Sequence, residues 1–179
     1  AAKGNGFKEE FVDCDADREM IEKYGYITDN IHTDLHECLG HGSGQLLPGV
    51  SQDALKAYGA TVEEARADLF GLYYSADPKM VELGLLPTED AYKAEYYTYL
   101  MNGLMTQLVR INLGDQIEEA HMRNRALIAH WVYEKGAADK VVELEKRDGK
   151  TYVRINDYKK LRTLFGDLLP HRLLLHHLQ

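Results

Sequence analysis

The sequence has little of what marks a secreted, a membrane-spanning or a nucleic-acid-coating protein. Only two of its 179 residues are cysteines, too few for the disulfide framework of a small secreted domain. No apolar run approaches the ~18 to 20 residues that cross a bilayer. Acidic residues outnumber basic ones by 29 to 21, whereas a protein that coats nucleic acids presents a basic face. What remains is a soluble globular protein, with neither nucleic acid nor membrane as an expected partner.

The start of the chain lacks two further signals. Its first ten residues, AAKGNGFKEE, contain neither the apolar core of a signal peptide nor an initiator methionine. We therefore interpret the start as an internal point of a longer protein. One pair of cysteines is not a disulfide framework, and Cys38 lies inside a histidine motif, so Cys14 and Cys38 are expected to be reduced thiols in a reducing compartment. The composition fits a cytoplasmic protein, and the cytoplasm is the expected compartment.

Helical patterns dominate the chain, and the predicted fold class is mainly α. The strongest helix covers residues 59–75, where Thr61 is a candidate N-cap, Glu64 occupies the capping-box position and apolar residues recur at helical spacing. One small β-hairpin is predicted near the C-terminus, because residues on both sides of an Asp148-Gly149 pair alternate in polarity. Further helices are predicted around 18–24, from 28–30 onward, before Gly84, over 88–113 with a division at Gly103, over 115–136 and over 156–169.

The chain divides into three predicted parts. Residues 1–28 form a polar N-terminal segment, and residues 29–168 form a helical lobe that carries the chemistry. Residues 169–179 form a tail in which Pro170 interrupts the helical pattern. We interpret this tail as an addition to the native chain and expect no functional site in it.

The segment His-Glu-Cys-Leu-Gly-His at 36–41 looks like a zinc-protease motif with one residue inserted. In the motif without the insertion, two histidines four apart bind one metal ion, and the glutamate between them is the general base. An ideal helix turns ~100° per residue, so His36 and His41, five apart, would point about 140° away from each other. A π-bulge absorbs one residue, and Gly40 has no Cβ to crowd it. We therefore predict a bulge here; the alternative is a surface helix with two chance histidines.

A catalytic zinc needs a third protein ligand and an open coordination position. The segment EEARAD on the next helix supplies Glu63, Glu64 and Asp68 as candidates. Glu64 and Asp68 are four apart and share a helix face, so one can bind the metal while the other orients a ligand histidine. Glu63 is expected to point elsewhere. The alternative for EEARAD is a capping box followed by a solvated acidic face.

Together, the two segments resemble the paired signature H-E-x-x-G-H and E-E-x-R-A-D/E of the dipeptidyl peptidase III family of zinc exopeptidases. The likeness covers roughly residues 30–168. Within this range, residues 40–46 resemble the segment after the family's zinc motif, 118–128 its later active-site helix, and 141–155 its β segment. The fold class that the resemblance implies is a helical zinc-binding catalytic lobe.

The resemblance also implies a role for each candidate residue. His36, His41 and Glu64 match the family's ligands for one Zn²⁺ per chain, a position that cobalt or another divalent ion can also occupy. Glu37 matches the general base, and His121 matches a histidine that stabilises the transition state. Three further residues are candidates for orienting a metal-binding side chain or for binding the substrate: Asp68, Glu63 and Arg125. His32 and His130 are expected to lie outside the site.

The activity that the resemblance implies is the release of dipeptides from the N-terminus of short peptides. Members of the family have a second lobe that anchors the substrate's free amino end, and 179 residues leave no room for it. We interpret the chain as a catalytic lobe, weakly active or inactive alone, whose partner is the missing lobe. Two alternatives stay open: a zinc aminopeptidase or endopeptidase of another type, and a metal-stabilised interaction domain without turnover.

Overall fold

The structure of the protein is a computed structural model that describes residues 11–44, 48–49, 51, 59–106 and 120–174. Within these ranges the regular elements are helices and one two-stranded antiparallel hairpin, so the predicted mainly α class is confirmed. In the same ranges, no helix is both long and apolar enough to cross a membrane.

Helix α1 (Asp15–Leu35) contains the predicted helical stretch around 18–24 and begins well before the predicted start at 28–30. The predicted helix start at residues 28–30 is wrong, because Thr28 lies inside α1 and its Oγ1 donates to the carbonyl oxygens of Tyr24 and Gly25. A threonine hydroxyl can bond back into its own helix as readily as it caps one, and the sequence pattern does not distinguish the two. The helix crosses residue 28, and Ile21 belongs to the main hydrophobic core.

Helix α2 (Gly59–Ser75) lies at the centre of the fold, and its predicted bounds are confirmed. It packs against α1 and against two later helices, and its apolar residues Ala65, Leu69 and Leu72 are fully buried. Each large apolar side chain buried in this way contributes about 1.5–3 kcal/mol. The predicted cap at Thr61 is wrong, because the helix already begins at Gly59. This central helix carries EEARAD.

Three helices follow α2: α3 (Lys79–Glu82), α4 (Tyr92–Met101) and α5 (Ala120–Lys135). Helix α3 ends before Gly84, whose φ of 72° lies in the left-handed region that glycine adopts easily. The five residues after α4, Asn102–Thr106, form a π-helical turn that contains the glycine at which a division was predicted. The end of the predicted helix 88–113 and the start of the predicted helix 115–136 lie outside the described residues.

The hairpin consists of β1 (Val142–Arg147) and β2 (Lys150–Ile155), paired in antiparallel register. The connecting residues Asp148 and Gly149 have φ angles of 49° and 76°, as a two-residue hairpin loop with two left-handed residues requires. The predicted hairpin and its turn are therefore confirmed.

Two residues just before α1 contact this hairpin. Val12 forms a parallel bridge with Val153 of β2. The Asp13 carboxylate accepts hydrogen bonds of 2.7 Å from both Arg147 and Arg154. Val12 and Asp13, just before α1, are therefore held against the hairpin by backbone pairing and by charge.

The last helix, α6 (Tyr158–Leu174), continues through Pro170, so the predicted interruption at this proline is wrong. Proline removes one N–H, whose partner in a regular helix would be the carbonyl oxygen of Gly166. The hydrogen bonds on either side remain, and Leu161, Phe165 and Leu168 hold the helix in the core.

Buried tyrosines of α4 connect this helix to its neighbours. Tyr96 donates its hydroxyl hydrogen bond to the Leu72 carbonyl oxygen of α2, and Tyr97 donates to a carbonyl oxygen of β2. The third tyrosine, Tyr99, donates to the carboxylate of Asp68 in EEARAD. A buried phenol needs such a partner, so these three contacts set how α4 sits on α2 and β2.

Candidate metal centre

The two histidines of the first motif are connected by a π-helical turn. Helix α1 ends at Leu35, and His36–Gly40 form the π-helical turn that carries the chain to His41. The His41 N–H donates to the carbonyl oxygen of His36, five residues earlier, and also to that of Glu37. The two imidazole rings then lie with their centroids 4.7 Å apart. The predicted bulge between the histidines is confirmed.

The turn is fitted closely against α2. A Cβ added to Gly40 would lie only 2.7 Å from both Cα and Cβ of Ala67, so no other residue fits without moving the helix. Arg66, which is almost fully buried, donates from Nη2 to the Gly40 carbonyl oxygen at 2.7 Å. The alanine and the arginine of EEARAD therefore both hold the π-helical turn.

Glu64 projects from α2 toward both histidines. One carboxylate oxygen, Oε2, lies 3.2 Å from His36 Nε2, and the other, Oε1, lies 3.6 Å from His41 Nε2. The capping-box alternative for this residue is wrong, because Glu64 lies within the helix and faces the imidazoles. Two ring nitrogens from one element thus meet one carboxylate from another.

The opposite ring nitrogens of the two histidines are held by the other acidic residues of EEARAD. His36 Nδ1 lies 2.7 Å from Asp68 Oδ1, and His41 Nδ1 lies 3.0 Å from Glu63 Oε1. The expectation that Glu63 points elsewhere is wrong, because the π-helical turn brings His41 over the side of α2 that carries Glu63. When Nδ1 donates to a carboxylate, Nε2 carries the lone pair that a metal ion requires.

Glu63 is itself held as an anion. The Arg66 Nε donates to its Oε2 at 2.9 Å. The Arg66 hydrogen bonds lower the pKa of Glu63 despite partial burial, and the contact with His41 lowers it further. Glu63 therefore stays an acceptor for the His41 ring.

Asp68 is a buried carboxylate with a full set of donors. Its Oδ1 faces His36 and also His32 Nε2 at 3.2 Å, while Oδ2 accepts from Tyr99 at 2.8 Å and from Asn124 at 3.0 Å. Burial alone would raise the pKa of Asp68, but the hydrogen bonds from His32 and His36 outweigh it and hold that pKa far below the ordinary value. Burial also raises the pKa of Tyr99, so its hydroxyl keeps the proton that it donates.

The ring nitrogens and the Glu64 carboxylate oxygens at this centre can bind a cation such as zinc. Glu64 Oε2 is buried and accepts no hydrogen bond within the part of the chain that the structure describes. Around it, ligand atoms of His36, Glu64 and His121 lie within 4.8 Å of one another. The site favours positive charge, since the Asp68 hydrogen bond raises the pKa of His36 above its ordinary value. Imidazole nitrogens and a carboxylate oxygen are a zinc-type ligand set.

A family model described as Peptidase family M49 matches residues 49–178, which is most of the chain and includes EEARAD. The chain belongs to peptidase family M49. M49 is the dipeptidyl peptidase III family, so the resemblance drawn from the two motifs is confirmed at the level of the family. The family is one of metallopeptidases, and its substrates are peptides.

The remaining predicted site residues of this M49 chain lie near the same centre. His121, on α5, is 61% exposed, and its Nδ1 lies 3.1 Å from Glu64 Oε2. Glu37 is exposed on the π-helical turn, directly after His36. Arg125 lies one helical turn after His121 with its guanidinium 5.4 Å from the centre of the Tyr99 ring. Their predicted roles stay predictions.

Four residues beside the candidate metal centre of this M49 chain were given no site role from the sequence. His32 was expected to lie outside the site, yet its Nε2 contacts Oδ1 of Asp68. Its other ring nitrogen, Nδ1, lies 3.6 Å from the buried Glu95. Its spacing of four residues from His36 was the available signal, because i and i+4 share a helix face. Arg66 is the arginine of EEARAD and lies three residues after Glu63, so its place in the motif was a signal. No sequence signal connects Tyr99 and Asn124 with the site, since packing between different helices brings them there.

Proposed function

We propose that this chain is the metal-bearing catalytic lobe of a zinc dipeptidyl peptidase, with His36, His41 and Glu64 as the zinc ligands. The observation that carries the proposal is the approach of both histidine Nε2 atoms to one carboxylate, at 3.2 Å and 3.6 Å. Two histidines and one glutamate are the ligand set of zinc peptidases that keep the fourth position open for chemistry. The Nδ1 contacts with Asp68 and Glu63 support the same assignment, because they turn both lone pairs toward Glu64.

A zinc ion in this position would act as a Lewis acid toward the scissile carbonyl and the attacking water. Glu37 accepts the proton of that water and delivers it to the leaving amine. Its exposure and its position next to His36 support this role. His121 donates a hydrogen bond to the carbonyl oxygen as it becomes negative. The closeness of His121 to Glu64, at 3.1 Å, supports an imidazole at the edge of the reacting centre.

The proposed substrates are short peptides with a free N-terminus, from which two residues are released. Residues 29–168 would form the catalytic lobe, and a second lobe outside this chain would anchor the substrate's amino end. Alone, the chain would keep the metal site but lose most activity, because substrate positioning supplies a large part of the rate. Two exposed free cysteines, Cys14 and Cys38, support the proposed reducing, cytoplasmic location.

The base assignment is tested by Glu37→Gln in the full-length protein. A carboxamide cannot take up the proton, so dipeptide release should fall by about 10²–10⁴-fold while zinc content, from elemental analysis, stays unchanged. The same assay on His121→Ala should show a slower catalytic rate. His130→Ala is the matched control, because His130 is exposed on the same helix and is not assigned to the site. Dipeptide release that is unchanged in Glu37→Gln would show that Glu37 is not the base, whereas no release by the unchanged full-length protein would favour the metal-stabilised interaction domain.

The ligand set is tested by zinc content. About one zinc per chain is expected, lost in His41→Ala and in Glu64→Ala. The series also includes His121→Ala, because possible ligand atoms of His36, Glu64 and His121 lie close together as well. Zinc lost in His121→Ala and retained in His41→Ala would replace His41 by His121 in the ligand set.

The type of peptidase is tested with paired substrates. Peptides with free and with blocked N-termini, given to the full-length protein, should differ sharply, and dipeptides should be released from the free ones alone. Release of single residues would indicate an aminopeptidase. Cleavage of blocked peptides at internal bonds would indicate an endopeptidase.

A further inference from the structure

Asp68 is joined to four different donors that come from three helices. The two imidazoles on Oδ1 are those of His32, in α1, and of His36, in the π-helical turn that continues α1. The two donors on Oδ2 are Tyr99 of α4 and Asn124 of α5. A carboxylate has about four lone-pair positions, so this one is saturated.

The two oxygens of Asp68 therefore have different tasks. Oδ1 is the oxygen that meets His36 Nδ1 at 2.7 Å, and it is shared with His32. Hydrogen bonds of 2.8 Å and 3.0 Å on Oδ2 oppose rotation of the carboxylate about its Cβ–Cγ bond. Tyr99 is 2% exposed and Asn124 is fully buried, so neither hydroxyl nor amide has water as a substitute partner.

Asn124 also connects Asp68 to the helix that carries His121. Asn124 and His121 are three residues apart on α5, and their respective partners, Asp68 and Glu64, are four residues apart on α2. The contacts Asn124–Asp68 at 3.0 Å and His121–Glu64 at 3.1 Å therefore join the same two helices at successive turns.

We propose that Tyr99 and Asn124 are positioning residues that hold Asp68 so that it aims the His36 ring at the metal. The inference rests on the proposed function, since it takes His36 as a ligand. Tyr99 and Asn124 contact no assigned ligand and act only through Asp68. Loss of either donor leaves a buried anion short of a partner and frees the carboxylate to turn.

The test compares two tyrosines of α4. Tyr99→Phe removes the hydroxyl that reaches Asp68, whereas Tyr96→Phe removes an equally buried hydroxyl that donates to the Leu72 carbonyl oxygen at 2.8 Å. Both variants should lower the midpoint of denaturant unfolding to a similar extent. Only Tyr99→Phe should raise the zinc dissociation constant, measured by chelator competition, by about tenfold, the lower end of the range for residues that orient a ligand.

Asn124→Leu, close in size and without polar atoms, should weaken zinc binding by a similar factor. The visible absorption of the cobalt-loaded chain is a second measurement, because its bands depend on ligand geometry. The bands should shift in Tyr99→Phe and Asn124→Leu and stay unchanged in Tyr96→Phe. A purely structural role would move the unfolding midpoint and leave the spectrum alone.

A control at His36 distinguishes the positioning role of Tyr99 and Asn124 from the proposed metal site. If His36→Ala loses zinc and Tyr99→Phe binds zinc as tightly as Tyr96→Phe, the positioning role is wrong and the proposed metal site stands. If His36→Ala retains zinc at the affinity of the unchanged chain, His36 is not a ligand and both proposals fall. Loss in His36→Ala with a tenfold weakening in both Tyr99→Phe and Asn124→Leu is the expected result.

Discussion

The chain contains two π-helical turns among its described residues, and they serve different purposes. One follows α1 at His36–Gly40, and the other follows α4 at Asn102–Thr106. Each contains a glycine that packs closely on a neighbouring helix. A Cβ on Gly40 would collide with Ala67, and one on Gly103 would collide with Ala129 and with the Arg125 carbonyl oxygen.

The two turns differ in what surrounds them. In the first, Glu37, Cys38 and Leu39 are exposed, and the turn presents histidines to a carboxylate. In the second, Gly103 and Leu104 are buried, and the turn lies in the hydrophobic core beside α5. The same backbone irregularity therefore brings two histidines to a carboxylate in one place and closes a helix contact in the other. Only the first has a chemical motif that reveals it in the sequence.

The largest effect on stability is expected in the second turn. Leu104→Ala removes a side chain that is 3% exposed and should lower the free energy of unfolding by about 2–5 kcal/mol. Denaturant unfolding of the chain measures the change. A loss below about 1 kcal/mol would show that this turn is not a core element and would remove the contrast between the two turns.

The next largest effect is expected at the glycine of the first turn. Gly40→Ala puts a methyl group 2.7 Å from the Ala67 Cα, so it should lower the free energy of unfolding by about 1–3 kcal/mol. Because the turn connects the two proposed ligand histidines, zinc affinity should also fall, by about 10–100-fold. Chelator competition measures the affinity.

Gly103→Ala is the matched control for this variant. It creates a similar clash in the second turn, so its effect on unfolding should be similar. Zinc affinity should fall less than in Gly40→Ala, because neither proposed ligand histidine adjoins this turn. Equal loss of zinc affinity in both glycine variants would show that the two turns do not have separate tasks.

A smaller effect is expected from the arginine that holds the first turn. Arg66→Lys keeps the charge, but an ammonium group cannot reproduce the planar fork that reaches both the Gly40 carbonyl and Glu63. We expect zinc binding to weaken by about tenfold, measured by chelator competition. Arg18→Lys, at a 40% exposed arginine paired with Asp15, should leave the affinity unchanged. An unaltered affinity in Arg66→Lys would mean that Gly40 packing alone maintains the turn.

The smallest effect is expected at the exposed apolar residue of the first turn. Leu39 is 39% exposed, so Leu39→Ala should change the free energy of unfolding by less than about 0.5 kcal/mol. Measured beside Leu104→Ala, it tests whether burial distinguishes the turns. Destabilisation of similar size in the two leucine variants would contradict that distinction.

Much of the fold could be predicted because its signals are local. The Asp148-Gly149 pair predicts a tight hairpin, since both residues tolerate a left-handed backbone. Helix α2 shows its apolar spacing directly, and its predicted bounds agree with the structure. Local signals were misleading at Thr28 and Pro170, because a hydroxyl can bond within a helix and tertiary packing can hold a helix across a proline.

The candidate site was predictable where chemistry demands a pattern. A five-residue spacing between His36 and His41 requires a bulge if both bind one ion, and the structure has that bulge. The direction of Glu63 was not predictable, because it depends on where the bulge carries His41. The partners of Asp68 on α4 and α5 were equally hidden, since no spacing within one helix relates them.

The sequence by itself determined the family, the mainly helical class, the hairpin and the residue types available to bind a metal. These follow from local spacing, in which a few residues carry all the information. Only the tertiary structure decided which carboxylate faces which ring nitrogen, and that His32, Tyr99 and Asn124 surround Asp68. Those contacts join separate helices, and the distances between helices are set by close packing of the whole core, such as Gly40 on Ala67.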